Sequence, residues 1–242
     1  MHAIQAVDLG KNFGSTQALR GASFTVNENE IYGLIGPNAA GKTTALRILS
    51  TLISASSGRA EVFGFDVARH PEKVREIISY LPEEAGLYQH LTGLEFLEFM
   101  AGFYADDKEE RDSFVEEGRL ISGLGERLRD RSDSYSKGMK RRLLIARALM
   151  MKPRLAILDE PTSGLDVIQS VHVRNMIKDY ADKQGVTVLL SSHNMLEVEY
   201  LCDRVALMDL GRIVAEGTPD ELRARYGAKN LEDVFMEVTN HE

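Results

Sequence analysis

Residues 31–44, IYGLIGPNAAGKTT, constrain this 242-residue chain more than any other stretch. Ile31, Tyr32, Leu34 and Ile35 form a short apolar run of the kind a buried strand needs. Gly36-Pro37-Asn38-Ala39-Ala40-Gly41-Lys42-Thr43 follows with the spacing G-x-x-x-x-G-K-[ST], and Thr44 continues it. Leu46, Leu49 and Leu52 then recur at near-helical spacing. Strand, tight loop and helix in that order are the context the motif requires. Gly36 and Gly41 permit backbone geometry that a side chain would hinder, so successive N–H groups can face a polyphosphate. The helix start adds the partly positive end of its dipole. In this spacing Lys42 reaches the β/γ-phosphates and the Thr43 hydroxyl ligates Mg²⁺. The reading is a nucleoside triphosphate site rather than a glycine turn that binds nothing.

Apolar residues make up 43% of the chain, ample for a core, and charged residues 27%, usual for a soluble surface. No run approaches the ~18 consecutive apolar residues of a spanning helix. The N-terminus does not show the charged-then-apolar pattern of a signal peptide. The single cysteine, Cys202, permits no internal disulfide and fits a reducing compartment. A lone cysteine followed by Asp203-Arg204 and then apolar residues reads as packing rather than as a nucleophile. A net charge of −8 argues against broad nucleic-acid binding, which leaves a basic footprint, so no nucleic-acid partner is expected. With no repeat, low-complexity tract or Pro/Gly/Ser-rich linker, residues 1–242 read as one domain.

Along the chain, residues 2–9 and 22–26 read as strands, with Lys11-Asn12-Phe13-Gly14 as a turn carrying an aromatic. Residues 59–63 supply another strand, Pro71 opens a short helix, and Ile78–Leu81 is a strand that Pro82 stops. From 92 to about 130 the pattern turns helical, with a capping box at Thr92 and Glu95. This block reads as an insertion with its own small core, to which Phe96, Phe99, Phe103 and Tyr104 contribute. Ser136 caps a helix running to Met150, and an apolar strand from 154 ends in Asp159-Glu160. A helix from Asp166, a strand at Val186–Leu190 ending in Ser191-Ser192-His193, and a hairpin around Leu210-Gly211 follow. Residues 218–242 read as two short helices split near Gly227. Strands alternating with helices, after an early antiparallel patch, give an α/β fold with a central sheet.

The strand ending in Asp159 has the form of a Walker B element. Its carboxylate, at the strand's C-terminal edge beside the phosphate loop, holds Mg²⁺ through water. Glu160 points to the other side of the pleat and polarises the attacking water as general base.

Ser136-Lys137-Gly138-Met139 before a basic helix, LAILDEPTSGLD at 155–166 and SSH at 191–193 together resemble the ATP-binding subunit of an ABC transporter, over essentially the whole chain. The resemblance implies a P-loop NTPase fold: a central, mainly parallel sheet, an N-terminal antiparallel β-subdomain, a helical subdomain inserted at roughly 88–150, and a helical tail at 218–242. It implies a head-to-tail dimer with a second copy or a homologous ATPase subunit. Two ATP molecules would be sandwiched between the phosphate loop of one chain and Ser136, Lys137 and Gly138 of the other. Phe13 would stack on adenine, Asp166 would cross the interface and His193 would sense the γ-phosphate. An integral-membrane permease would be the further partner, placing the chain on the cytoplasmic face of the cell membrane. Three features depart from the family pattern. Ala39 stands where Gly is usual, and being small is expected to do little harm. The signature reads YSKGM rather than LSGGQ. Glu83, in LPEE, replaces the usual loop glutamine and is taken as catalytic residue and metal ligand. LPEE, YSKGM and the late NLEDVF resemble the ABC-2-type exporters of bacteria, which handle drugs, antimicrobial peptides or sodium. The competing reading is a non-transport ABC protein, an ATP-gated clamp or assembly scaffold. It lacks the long coiled coil or second cassette that DNA- and ribosome-acting clamps usually carry.

Overall fold

The computed structural model describes residues 1–239, so the end of the expected tail, 240–242, lies outside the described residues. Two long strands open the chain, β1 (His2–Phe13) and β2 (Thr16–Asn27). Their pairing runs on to Phe13 opposite Thr16. Lys11, Asn12 and Phe13 are therefore strand residues, and the turn is only Gly14-Ser15. Cross-strand hydrogen bonds carry both strands past the apolar alternation that marked 2–9 and 22–26. The chain continues through β3 (Ile31–Ile35), α1 (Lys42–Leu49), β4 (Ser57–Val62), β5 (Phe65–Asp66), α2 (Pro71–Arg75) and β6 (Ile78–Leu81). A helical block follows, α3 (Gly93–Ala101), α4 (Lys108–Ser122) and α5 (Lys137–Leu149). Then come β7 (Leu155–Leu158), α6 (Val167–Gln184), β8 (Thr187–Ser192), α7 (Met195–Val198), β9 (Arg204–Asp209) and β10 (Arg212–Gly217). Helices α8 (Pro219–Tyr226) and α9 (Leu231–Thr239) end the described chain, parted at Gly227.

The strands form two sheets. One is antiparallel, in the order β2-β1-β4-β5; the other runs β10-β9-β3-β8-β7-β6 and is parallel except for the β9–β10 hairpin. The parallel strands β3, β7 and β8 are buried along their whole length, as a sheet covered on both faces requires. Alternate residues therefore feed two cores. Ile31, Ile35, Ala156, Leu158, Val188 and Leu190 face the helical side, whereas Tyr32, Leu34, Leu155, Ile157 and Leu189 face α1 and the antiparallel sheet.

The inserted helices do not keep a separate core. Phe96, Leu97, Leu124, Leu143 and Leu149 belong to the same apolar cluster as Ile35 and Leu158 of the sheet. Helix α5, packed on both, joins insertion to sheet. The aromatic expectation also needs correcting: Phe96 is buried, but Phe99, Phe103 and Tyr104 are exposed. The buried stripe of α3 takes Gly93, Phe96, Leu97 and Ala101, which leaves Phe99 off the stripe. Phe103 and Tyr104 lie past the helix end. The capping box at Thr92 and Glu95 is present, each accepting from the other's main-chain N–H.

Candidate functional site

Parallel strands carry their C-terminal ends to one edge, and this sheet brings four of them side by side. Register pairs Ile35 with Ser192, Leu158 with Leu190, and Leu81 with Leu158. The residues just beyond those ends meet there: Gly36 and its loop, His193, Asp159-Glu160, and Glu83. Two hydrogen bonds seat the phosphate loop in this edge, Gly36 N–H to Ser192 O and Gly211 N–H to Ala40 O.

The loop's glycines are used for different reasons. A Cβ on Gly36 would stand 2.1 Å from the carbonyl oxygen of Met208 in β9. Gly41 has φ of 108°, which L side chains rarely adopt, and it precedes α1 without any side-chain cap. The first N–H groups of α1 are thus free of a capping side chain and open to an anion. Ala39 also has positive φ, 67°. Size is not what matters at this position: a left-handed alanine is strained by about 1–2 kcal/mol, which glycine would not be.

Lys42 turns back over the loop, donating from Nζ to Gly36 O at 2.8 Å and to Pro37 O at 3.1 Å. The same ammonium lies 3.4 Å from Glu160 Oε1, with both side chains only 6% exposed. Glu160 Oε2 lies 2.9 Å from His193 Nδ1 and accepts from the His193 N–H at 3.3 Å. The carboxylate is thereby held between the lysine of the phosphate loop and the histidine after β8. Its backbone φ is 48°, another strained left-handed residue, and strain of this kind gathers at sites whose surroundings over-determine them.

Asp159 is 1% exposed, and three hydroxyl groups meet its carboxylate. Ser191 Oγ donates at 2.6 Å and Thr43 Oγ1 at 3.1 Å to Oδ1, with Tyr80 Oη at 3.4 Å from Oδ2. Burial, then the Asp159 charge, raise the Tyr80 pKa, so the phenol stays protonated and able to donate. Among the described residues there is no group of three or more His, Cys, Asp and Glu side chains suited to a metal. A magnesium ion would be held instead by Thr43 Oγ1 and the Asp159 carboxylate, completed by phosphate and water. Those hard oxygen donors fit it.

A cleft of about 410 Å³ opens on the phosphate loop and Glu160, whereas Asp159 is not part of its wall and His193 lines a neighbouring cavity that also touches Glu160. Asn38, Ala39, Ala40, Gly41, Lys42, Thr43, Thr44, Glu83, Glu160 and, at the far end, Phe13 line the cleft. The Phe13 ring is half exposed, with the Lys11 ammonium 5.1 Å from its centroid. Glu83 is not free in that wall: its Oε1 accepts from Ser163 Oγ at 3.0 Å. Ser136, Lys137, Gly138 and Asp166 do not line the cleft. Ser136 and Asp166 cap α5 and α6, accepting from Met139 N–H and Gln169 N–H. Those two helix starts are adjacent, since a Cβ on Gly138 would lie 2.3 Å from Gln169 Oε1.

Sequence reading passed over Ser191, Tyr80 and Arg141. Ser191 carries the one available signal, a hydroxyl at the end of an apolar strand. Tyr80 and Arg141 carried none, because partners reached only through strand order cannot be seen in a linear pattern.

Residues 19–163 match the family model described as ABC transporter. The chain belongs to the ABC transporter family. Among its relatives, the linearmycin resistance ATP-binding protein LnrL of Bacillus subtilis (strain 168) is 37% identical over 228 residues, 94% of this chain and 73% of that protein. The daunorubicin/doxorubicin resistance ATP-binding protein DrrA of Streptomyces peucetius is 40% identical over 233 residues, 95% of this chain and 69% of that one. A solved structure described as the ATP-binding subunit of an ABC transporter superposes with a TM-score of 0.84 at 29% identity, covering 98% of this chain and 99% of that one. The chain is thus an ATP-binding subunit of the ABC transporter family, an ATPase whose family couples hydrolysis to transport. Subunits of this family bind ATP, dimerise and work with membrane permeases. No described helix of this one is long and apolar enough to cross a membrane.

Proposed function

We propose that this ABC ATPase binds ATP with Mg²⁺ in the cleft above the sheet, pairs head to tail with a second copy or a homologous subunit, and drives export through a separately encoded permease. The observation that carries the proposal is the meeting of Lys42, Thr43, Asp159, Glu160 and His193 at one sheet edge, although up to 151 positions separate them in the chain. Phe13 stacks on the adenine, the loop N–H groups and Lys42 take the β- and γ-phosphates, and Thr43 with Asp159 holds the ion. When bound, the ion neutralises charge on the phosphate oxygens. Glu160 orients the attacking water and takes its proton, while His193 fixes the carboxylate and faces the γ-phosphate. Glu83 reaches the same wall from the loop after β6. Ser136, Lys137, Gly138 and Asp166, which lie off the cleft, serve the partner's nucleotide, so each site needs both chains.

Export follows from the relatives' printed roles in resistance to linearmycin and to daunorubicin/doxorubicin. A permease surface is supported by the exposed aromatics of the inserted block. Tyr88, Phe99 and Phe103 form an edge-to-face series with centroids 5.3 and 5.0 Å apart, and exposed apolar groups of this kind mark contact surfaces. The chain would then sit on the cytoplasmic face of the membrane, held by that permease.

Mixing a Lys42→Ala chain with a Ser136→Ala chain tests the shared site. Each is inactive alone, and mixed dimers restore ATP hydrolysis at one composite site. Mixtures that stay inactive while both variants fold and associate overturn the head-to-tail arrangement.

A further inference from the structure

Helix α5 carries a buried charge to which the scheme above assigns no task. Arg141 sits in the basic run Lys140-Arg141-Arg142, yet it is only 7% exposed. Its guanidinium donates to four main-chain carbonyls on two loops. Nε reaches Pro161 O at 2.8 Å, Nη2 reaches Asp159 O at 2.9 Å and also Glu160 O, and Nη1 reaches Glu83 O at 3.1 Å. Three of these carbonyls are consecutive and span Glu160. On the opposite side, Asp159 N–H is bonded to Leu81 O at 2.8 Å and Glu160 N–H to Ser191 Oγ at 2.9 Å.

Those bonds explain how a glutamate keeps a left-handed backbone. The peptide units around Glu160 are held from the sheet side by Leu81 and Ser191 and from the helical side by Arg141. Ser163 N–H adds one further bond, to Glu160 O, from within the same loop. A planar, permanently charged fork suits this task; a lysine is a point donor that cannot span three adjacent carbonyls. Burial lowers the Arg141 pKa, and the nearby Glu83, Asp159 and Glu160 charges oppose that shift. Arg141 does not line the nucleotide cleft. It touches the reaction only through the backbone that aims Glu160.

We propose that Arg141 is a positioning residue for ATP hydrolysis: from the helix that begins at Ser136, it holds the backbone of Glu160 so that the carboxylate lies between Lys42 and His193, and it ties the Glu83 loop to the same point. Helix α5 then bears both the Ser136–Gly138 face offered to the partner's nucleotide and the clamp on its own chain's base. A shift of that helix reaches Glu160 without passing through the cleft. The inference rests on Glu160 being the base.

The test is a double-mutant cycle in the full-length chain, with Arg141→Gln and Glu160→Gln made singly and together. Single-turnover hydrolysis and ATP affinity are measured for each. Arg141→Gln is expected to lower turnover about tenfold or more while ATP affinity stays within about twofold, the signature of a lost alignment rather than lost binding. Arg141→Lys should recover part of the rate. In the Glu160→Gln background, Arg141→Gln should change turnover by less than about twofold, because a positioning residue has nothing left to position. Equal losses in both backgrounds, unchanged turnover, or a fall in affinity that matches the fall in rate overturns the proposal. Arg141→Lys carries the same cycle if Arg141→Gln does not fold, as thermal unfolding of each variant would show. Near-normal turnover in Glu160→Gln alone overturns the base assignment and this inference with it. An intact Glu160 effect with an additive Arg141 effect overturns this inference only.

Discussion

Replacing Glu160 by Gln keeps the side chain's shape and removes its charge, and the structure sets the size of the effect. At 3.4 Å from Lys42 Nζ, and with an effective dielectric constant of about 20, the attraction is roughly 5 kcal/mol before desolvation. Breaking a buried pair by removing one partner is destabilising by about 3–5 kcal/mol. The lower end applies here, because Lys42 keeps the carbonyls of Gly36 and Pro37. Glu160→Gln measured without nucleotide should therefore lose about 3 kcal/mol, or ~6–12 °C in unfolding midpoint for a chain of this size. Saturating ATP supplies the missing anion to Lys42, so much of that loss should disappear. By linkage, each 1.4 kcal/mol or so recovered is about tenfold tighter ATP binding. Turnover should meanwhile fall about 10²-fold or more, the usual contribution of a general base. Urea unfolding with and without ATP and Mg²⁺, with a phosphate-release assay beside it, measures both. An equal stability loss in the two conditions refutes the transfer of Lys42 from Glu160 to the phosphates. Near-normal hydrolysis refutes the base.

Ala39→Gly should stabilise the chain, because relief of about 1–2 kcal/mol of left-handed strain exceeds the ~0.5–1 kcal/mol entropic penalty of glycine. A rise of roughly 1–4 °C in thermal unfolding is expected, and a fall would show that Ala39 is not strained. Gly36→Ala should be destabilising by roughly 3 kcal/mol, since its Cβ meets the Met208 carbonyl, which the β9–β10 pairing holds in place. Urea unfolding of the variant checks this, and unchanged stability would mean that the loop can shift away from β9.

Much of the chain's local structure was legible without coordinates. The strand Ile78–Leu81 was bounded by its own apolar run and Pro82. The capping box at Thr92 and Glu95, the cap at Ser136 and the break at Gly227 are likewise local chemistry, written in a few adjacent residues. The failures share a cause. The first hairpin ran longer than its alternation because interstrand hydrogen bonds, not side-chain pattern, decide where β1 and β2 stop. Phe99 reads as core because aromatic content does not say which side of α3 packs against α4 and α5, and Phe103 and Tyr104 because it does not say where that helix ends.

The amino-acid sequence by itself determined the kinds of groups available: a phosphate loop before a helix, two acids after an apolar strand, a histidine after another. It also determined that α1 begins at a glycine with no capping side chain, so that its N-terminus stays open to an anion. Only the tertiary structure decided that Asp159 is met by Ser191, Thr43 and Tyr80, that Glu160 lies between Lys42 and His193, and that Arg141 is buried. The physical reason is strand order. Which of several similar parallel strands become neighbours depends on how the intervening helices pack across both faces. No window of the chain short enough to read contains that information.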